Sequence, residues 1–181
     1  TNKLLSRYVD KVCVAYDGME KFFPINKLFL LGNPIRDEML NLDSKRKKGK
    51  FFFNVDNDKT TILVLGGSLG ARTINESIFN NLHVLINNNL NVIWQTGIDF
   101  EKKSKSLVDQ INKKGIVTFP FIKDIATAYA ASDIIVSRAG AISISELCCV
   151  GKPVILVPSP NVAEDHQKKN AQSLVNKKSA L

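Results

Sequence analysis

Three polar, glycine-bearing segments hold side chains able to bind an anion or a hydroxylated ligand. The first is Gly66-Gly67-Ser68-Leu69-Gly70-Ala71-Arg72, between an apolar run and a helical pattern. Glycine at 66, 67 and 70 lets the chain turn sharply and lets a phosphate approach where a Cβ would obstruct it. The helix start beyond offers unpaired N–H groups and the positive end of a dipole, and Ser68 adds a hydroxyl. No Lys-Ser/Thr pair follows Gly70 and the spacing is not G-x-G-x-x-G, so neither a Walker loop nor a dinucleotide fingerprint is present. A tight strand-to-helix turn with no ligand is the other reading of the same residues.

The second segment is Ser137-Arg138-Ala139-Gly140-Ala141-Ile142-Ser143-Ile144-Ser145-Glu146. Ser143 and Glu146 have the spacing of a capping box. Alternatively, the Glu146 carboxylate binds the diol of a ribose. One carboxylate has acceptor positions enough for both. The third segment runs from Pro158 to Ala171 and contains Asp165, His166, Gln167 and Asn170. No Ser or Cys nucleophile is tied to His166 by spacing, so it reads as a capping or packing residue at a helix start. His83 falls inside an amphipathic helix. Cys/His spacing for zinc and Asp-x-Asp metal motifs are both absent, and no cofactor or metal is expected.

The elements that position these segments follow one rhythm from residue 60 onward. Short apolar runs at 61–65, 91–95, 115–119, 133–137 and 153–157 read as strands. Helical spacing covers 71–87, where Ile74, Ile78, Leu82 and Leu85 share a face, then 100–113, 124–131, 141–150 and 164–177. Alternation of this kind predicts an α/β fold with a doubly wound, Rossmann-like parallel sheet. The strands are continuously apolar, as expected when helices cover both faces. All three segments then fall at the carboxyl edge of the sheet, where such folds bind ligands. Earlier in the chain, 11–15 and 27–31 read as strands and Gly32-Asn33-Pro34 as a break. Asp43-Ser-Lys-Arg-Lys-Lys-Gly-Lys50 reads as a loop. The expected organisation is the tail of a preceding α/β domain over 1–35, a linker over 36–60 and the main domain over 61–181, cut short at its end.

Composition narrows the function class. The chain has 181 residues, 44% hydrophobic and 23% charged, which excludes disorder over its whole length. Cys13, Cys148 and Cys149 are too few for a disulfide scaffold and suit a reducing compartment. Apolar runs are too short to span a bilayer, and no signal peptide is expected from the opening residues. The first residue is Thr, so a fragment is expected. A net charge of +8 favours an anionic partner. No aromatic-basic interleaving or helix-turn-helix pattern supports nucleic acid, which is not expected as a partner.

Taken together, Gly66–Arg72 with Asn75, Ser137–Ala141 with Ser145-Glu146, and Asp165-His-Gln167 with Asn170-Ala171 resemble glycosyltransferase family 28. More narrowly, they resemble its bacterial UDP-N-acetylglucosamine:undecaprenyl-pyrophosphoryl-muramoyl-pentapeptide N-acetylglucosaminyltransferases. Gly32-Asn-Pro-Ile-Arg36 is similar to that family's segment at the domain junction. The resemblance runs over nearly the whole chain and implies half of a GT-B fold. It implies UDP-N-acetylglucosamine as donor, the undecaprenyl-linked lipid I as acceptor, and a peripheral place on the cytoplasmic face of the bacterial plasma membrane, against anionic lipid. Arg36 would hold the diphosphate-sugar portion and Ser68 a phosphate, within the loop of Gly66, Gly67 and Gly70. The Ile122 backbone would meet the uracil edge. Ala141, Ile142, Ser143, Ile144, Ser145 and Glu146 would line the nucleotide, with Glu146 on the ribose, and Gln167 would reach the sugar. Leu69 stands where the commonest form of the phosphate loop has Gln, so no side-chain role is expected there.

The implied reaction is an inverting transfer of N-acetylglucosamine to lipid I in peptidoglycan synthesis. Its catalytic base is expected in the amino-terminal domain, so the chain alone should bind donor without completing transfer. Three other readings are weighed: a different GT-B transferase using a UDP-sugar, a non-catalytic nucleotide-binding module, and a nucleic-acid-binding domain, which the charge suggests but no motif supports.

Overall fold

The computed structural model describes residues 2–67, 70–160 and 166–181. The chain folds as two compact units, Thr1–Ile35 and Arg36–Leu181. The first holds a one-turn helix, α1 (Asn2–Leu5), 3-10 turns at Met19–Lys21 and Ile25–Lys27, and two short parallel strands, β1 (Val12–Val14) and β2 (Leu28–Leu30), with Val12 opposite Leu28. Lys27 closes the stretch after α1 by donating its Nζ to the carbonyls of Ser6, Arg7 and Val9 at 3.4, 3.2 and 2.8 Å.

The second unit opens with a 3-10 turn over Asp37–Leu40, whose Met39 is buried. Helix α2 (Arg46–Phe52) follows. Then strands and helices alternate: β3 (Thr61–Leu65), α3 (Arg72–Asn87), β4 (Asn91–Gln95), α4 (Ile98–Ile111), β5 (Ile116–Phe119), α5 (Ile125–Ala131), β6 (Ile134–Ser137), α6 (Ala141–Val150), β7 (Val154–Leu156) and α7 (His166–Val175). The five strands are parallel in the order β5-β4-β3-β6-β7. The expected doubly wound α/β sheet is therefore present. Every residue of β4 is buried, which is why these strands show no period-two alternation. The face of α3 read from the sequence also lies inward: Ile74 and Leu82 join Val64, Val92, Trp94 and Ile116 in one core, with Ile78 and Leu85 packed against it.

Residues 43–50 differ from the expected loop. Asp43–Lys45 is a 3-10 turn that runs into α2. The inward face of α2 is the stripe Arg46, Gly49, Lys50 and Phe53, which has helical spacing but carries basic residues. A search for apolar periodicity therefore misses it. Lys50 is 3% exposed, and its Nζ donates to the carbonyls of Asp56, Asn57 and Lys59 at 3.4, 2.8 and 3.2 Å. Its stem packs while its charge is spent on carbonyls. A Cβ at Gly49 would stand 2.7 Å from the Thr127 carbonyl oxygen, so α2 crosses α5 closely there. Phe53 stacks edge-on with Phe119 at 5.5 Å.

Two further cations hold the end of α5, where helical carbonyls lack partners. Lys152 Nζ reaches the carbonyls of Tyr129, Ala130 and Ser132 at 2.5, 3.0 and 2.6 Å. Arg46 reaches those of Ala130 and Ser132 and donates Nη2 to Asp133 Oδ1 at 2.5 Å. Asp133 Oδ2 accepts the Thr61 N–H at 2.8 Å, which joins the start of β3 to the start of β6. Burial alone would raise the Asp133 carboxyl pKa. The Thr61 N–H and the Arg46 guanidinium outweigh it and hold the value below the ordinary 3.8.

Asn75 belongs to the core rather than to the candidate phosphate loop. Its Oδ1 accepts the Trp94 Nε1–H at 3.0 Å and its Nδ2 donates to the Thr96 carbonyl at 2.7 Å, all buried. Asn75→Ala should therefore cost about 2 kcal/mol or more in denaturant unfolding, because it strands the indole N–H and a carbonyl without partners. A loss within about 0.5 kcal/mol, the scale of an ordinary surface change, would contradict the assignment.

Asp133 predicts an acid-side effect. Its folded pKa is depressed, so its stabilising contribution is full above the ordinary carboxylate range and fades as pH falls through the lowered folded value. Asp133→Asn should thus be less stable than the parent near neutrality. The gap in denaturation midpoint should narrow as pH drops below about 4; a gap independent of pH would refute it.

Candidate functional site

A cleft of about 310 Å³ opens at the carboxyl edge of the sheet in the second unit. Strand order reverses between β3 and β6, and the chain leaves these two neighbours toward different parts of the sheet. Crevices of this kind are where open α/β sheets take ligands. Residues from separate segments converge on it: Arg36, Gly67, Gln95, Ile122, Ser143 and Glu146.

Arg36 lies just before the Asp37–Leu40 turn, which packs against α6. Its Nε and Nη2 both donate to Glu146 Oε1, at 2.9 and 2.7 Å. The side chain of Glu146 is 9% exposed and that of Arg36 51%. The carboxylate is thus sunk at the cleft wall, and a half-exposed cation answers its charge. Removing such a partner leaves a buried charge uncompensated, which is costly. The capping-box reading of Ser143 and Glu146 gives way here. Gly140 caps α6 with no side-chain hydrogen bond, and the Glu146 carboxylate is turned to Arg36 instead.

Tyr129, from the fully buried α5, also lines the cleft. Its phenol pKa is pushed far above the ordinary value of 10.0, first by burial and then by the Glu146 charge, with Arg36 opposing. It stays a neutral hydroxyl throughout the physiological range. Asp124 caps α5, its Oδ1 accepting the Thr127 N–H at 3.0 Å. The Thr127 hydroxyl at 2.5 Å and that N–H hold the Asp124 carboxyl below its ordinary pKa. The same cap sets the loop that carries Ile122. The Ile122 N–H is itself donated to Gln95 Oε1 at 2.9 Å. Arg138 Nη1 donates to the carbonyls of Val157 and Pro158 at 3.1 and 3.0 Å, fastening the segment after β7.

In the glycine loop the Gly66 N–H is donated to the Gln95 carbonyl and the Gly70 N–H to the Gly67 carbonyl, each at 3.2 Å. Ser68 and Leu69 lie outside the described residues. The loop glycines serve different ends. Gly70 has φ +81°, and a Cβ there would stand 2.4 Å from the Thr96 carbonyl oxygen. Gly67 has φ +78° with open space around it, on the cleft.

The residues expected at the site are thus only partly gathered. Arg36, Gly67, Ile122, Ser143 and Glu146 meet at the cleft. Ala141, Ile142, Ile144 and Ser145 lie on α6 beside it without lining it, and the Ser145 hydroxyl bonds back to the Ala141 carbonyl at 3.1 Å. Gln167 stands apart: its Oε1 accepts the Ser159 N–H at 2.9 Å. Asp165 lies outside the described residues, and His83 sits on the exposed side of α3. Gln95 and Tyr129 line the cleft without having been expected there. Gln95 had a signal, as a polar side chain closing an apolar strand at that edge of the sheet, as Ser137 does in β6. Tyr129 sits in a largely apolar helix and had none.

The glycines yield a paired prediction. Gly70→Ala should lower the melting temperature steeply, through a positive φ and a clash with fixed backbone. Gly67→Ala meets only the roughly 1–2 kcal/mol strain of left-handed backbone. Equal losses in the two variants would show that the loop is not packed as described.

The family model of the glycosyltransferase family 28 C-terminal domain matches residues 61–181. The chain is 49% identical over 181 residues to a UDP-N-acetylglucosamine--N-acetylmuramyl-(pentapeptide) pyrophosphoryl-undecaprenol N-acetylglucosamine transferase of Flavobacterium psychrophilum, covering all of this chain and 48% of the relative. It is 50% identical over 181 residues to the protein of the same name from Parabacteroides distasonis, covering all of this chain and 49% of that one. It therefore spans about half the length of the curated relatives it matches. Among solved structures, Acinetobacter baumannii MurG superposes with a TM-score of 0.67 at 29% identity, over 99% of this chain and 48% of that one. The glycotransferase of kitacinnamycin shares the fold, with a TM-score of 0.61 at 18% identity over 96% of this chain and 42% of that one. The parallel α/β sheet is the Rossmann-like half of a GT-B glycosyltransferase, and the chain belongs to glycosyltransferase family 28, with its C-terminal domain over residues 61–181.

Proposed function

We propose that this chain is the donor-binding part of an inverting N-acetylglucosaminyltransferase. The donor is UDP-N-acetylglucosamine and the acceptor is lipid I, the undecaprenyl-pyrophosphoryl muramyl-pentapeptide; the product is lipid II of peptidoglycan synthesis. The observation that carries this reading is the convergence of Arg36, Gly67, Ile122, Ser143 and Glu146 on one cleft at the strand-order reversal. The names of relatives about half identical over the whole chain point the same way.

In this reading the diphosphate lies against the glycine loop and the start of α3, whose unpaired N–H groups and dipole stabilise anionic charge. That charge grows as the bond from the anomeric carbon to UDP breaks, so a fixed positive end there favours the transition state. Ser68 adds a donor to the same phosphates. Glu146 accepts from the ribose hydroxyls, and the uracil edge meets the backbone at Ile122. The Ile122 N–H is already held by Gln95, so the base is met by its carbonyl oxygen. When ribose takes Glu146, Arg36 is released toward the diphosphate-sugar, and the two opposite charges each gain a ligand partner. Gln167 turns to the sugar from α7. The base that takes the proton of the acceptor hydroxyl belongs to the part of the enzyme outside this chain.

The acceptor's lipid places the enzyme at the cytoplasmic face of the plasma membrane as a peripheral protein. Among the described residues no helix is long and apolar enough to cross a membrane. The net charge of +8 suits an anionic lipid surface.

Calorimetry with UDP tests the proposal. Glu146→Gln should weaken UDP roughly tenfold, the scale of one hydrogen bond to a charged group. A 2′,3′-dideoxy analogue should bind the parent weakly and be indifferent to the substitution. Unchanged UDP binding by the variant would remove Glu146 from the ribose site. A donor screen in which another UDP-sugar outcompetes UDP-N-acetylglucosamine would replace the sugar.

A further inference from the structure

Gln95 is the last residue of β4 and lines the cleft, yet it is only 5% exposed. Its Oε1 accepts the Ile122 N–H at 2.9 Å in a buried bond. An amide side chain is an acceptor at one end and a double donor at the other. An N–H is satisfied only by the oxygen end, so this contact fixes which way the amide stands. Nε2 is then the end left over, and it makes no hydrogen bond among the described residues. It is not sealed in either: among the described residues no buried side-chain nitrogen or oxygen lacks a partner. Nε2 therefore keeps accessible surface, on a residue that lines the cleft, as an unspent donor. The carbonyl oxygen of Ile122, a residue that also lines the cleft, accepts no hydrogen bond among the described residues. The cleft wall thus carries a fixed donor and, on the residue whose N–H orients it, an unspent acceptor.

We propose that Gln95 determines base specificity, its Nε2 donating to the 4-carbonyl oxygen of uracil while the Ile122 carbonyl accepts the adjacent N3–H. This inference rests on the reading of the cleft as a UDP-sugar site. Uracil presents an acceptor beside a donor on that edge. Cytosine presents an amino donor beside a bare ring nitrogen, so both contacts become donor against donor and acceptor against acceptor. Sites built to hydrogen-bond a polar group reject a mismatched analogue strongly, because buried partners are left unpaired. The same Oε1 contact joins the end of β4 to the loop before α5, so one side chain both positions the Ile122 carbonyl and reads the base.

Binding of UDP, CDP and the diphosphate of a pyrimidin-2-one nucleoside, which lacks the 4-oxygen, tests this by calorimetry on the whole chain. The parent should bind UDP at least tenfold more tightly than either analogue. Gln95→Glu keeps an oxygen for the Ile122 N–H but removes the donor. Its ratio of UDP to CDP affinity should fall at least tenfold, while its melting temperature stays near the parent's. Added negative charge weakens both diphosphates alike and cancels in the ratio. Gln95→Met should lower the ratio too, with the Ile122 N–H now unpaired. A parent that binds UDP, CDP and the pyrimidin-2-one equally overturns the inference and leaves the nucleotide site standing. So does an unchanged ratio in both variants. A parent that binds none of the three overturns the inference and the reading of the cleft together.

Discussion

The reversal of strand order between β3 and β6 is the constraint on which the rest of this molecule depends. Where neighbouring parallel strands send their connections to different parts of the sheet, no element covers the carboxyl edge between them. The glycine loop after β3 and the Ser137–Gly140 segment after β6 border that gap, and the end of β4 adds Gln95. The cleft is thus a consequence of winding, and its chemistry comes from which residues happen to end each strand. Asp133 reinforces the junction from the opposite edge. Its carboxylate takes the Thr61 N–H and the Arg46 guanidinium, and so pins the two strands that frame the site.

Much of the basic character is structural. Lys50, Arg46 and Lys152 spend their donors on main-chain carbonyls at loops and at the end of α5. Burial lowers the Lys152 pKa, the expected direction for a desolvated ammonium. A lysine used in this way does for a helix end what a glycine cap does elsewhere, and it also favours the negative end of the dipole. Net charge read from composition therefore overstates the cation available to an outside partner. Within the 45–50 run, Lys47 and Lys48 are the residues that stay exposed.

Arg36 and Glu146 illustrate how a carboxylate at the wall of the candidate site is kept paired. A carboxylate sunk in a cleft wall is expensive unless it is partnered. Arg36 supplies the partner through a single oxygen of Glu146, from a side chain half exposed to solvent. In the proposed reading a ligand with a diol and an anionic group would satisfy both residues at once, so exchange of partners need not leave either charge bare. Tyr129, held neutral behind them by burial and by the Glu146 charge, adds bulk without a competing ion.

What the sequence determined by itself was the alternation of elements and the place of the polar, glycine-bearing segments along it. Continuous apolar strands, the α3 stripe of Ile74, Ile78, Leu82 and Leu85, and the glycine at the end of α6 are local signals, and all three correspond to the observed elements. Because every loop at one edge of a parallel sheet follows a strand, the edge that carries the cleft was legible as well. Only the tertiary structure decided who pairs with whom. Glu146 could cap its own helix or face a partner, and a residue 110 positions earlier settled the matter. Asn75 sat inside a ligand motif and proved to bind Trp94 and Thr96. The basic stretch at 46–50 became a packed helix because Arg46 found carbonyls at the distant end of α5 and Lys50 those of the loop that folds back after the helix. Such choices depend on distances across the fold, which no local spacing encodes.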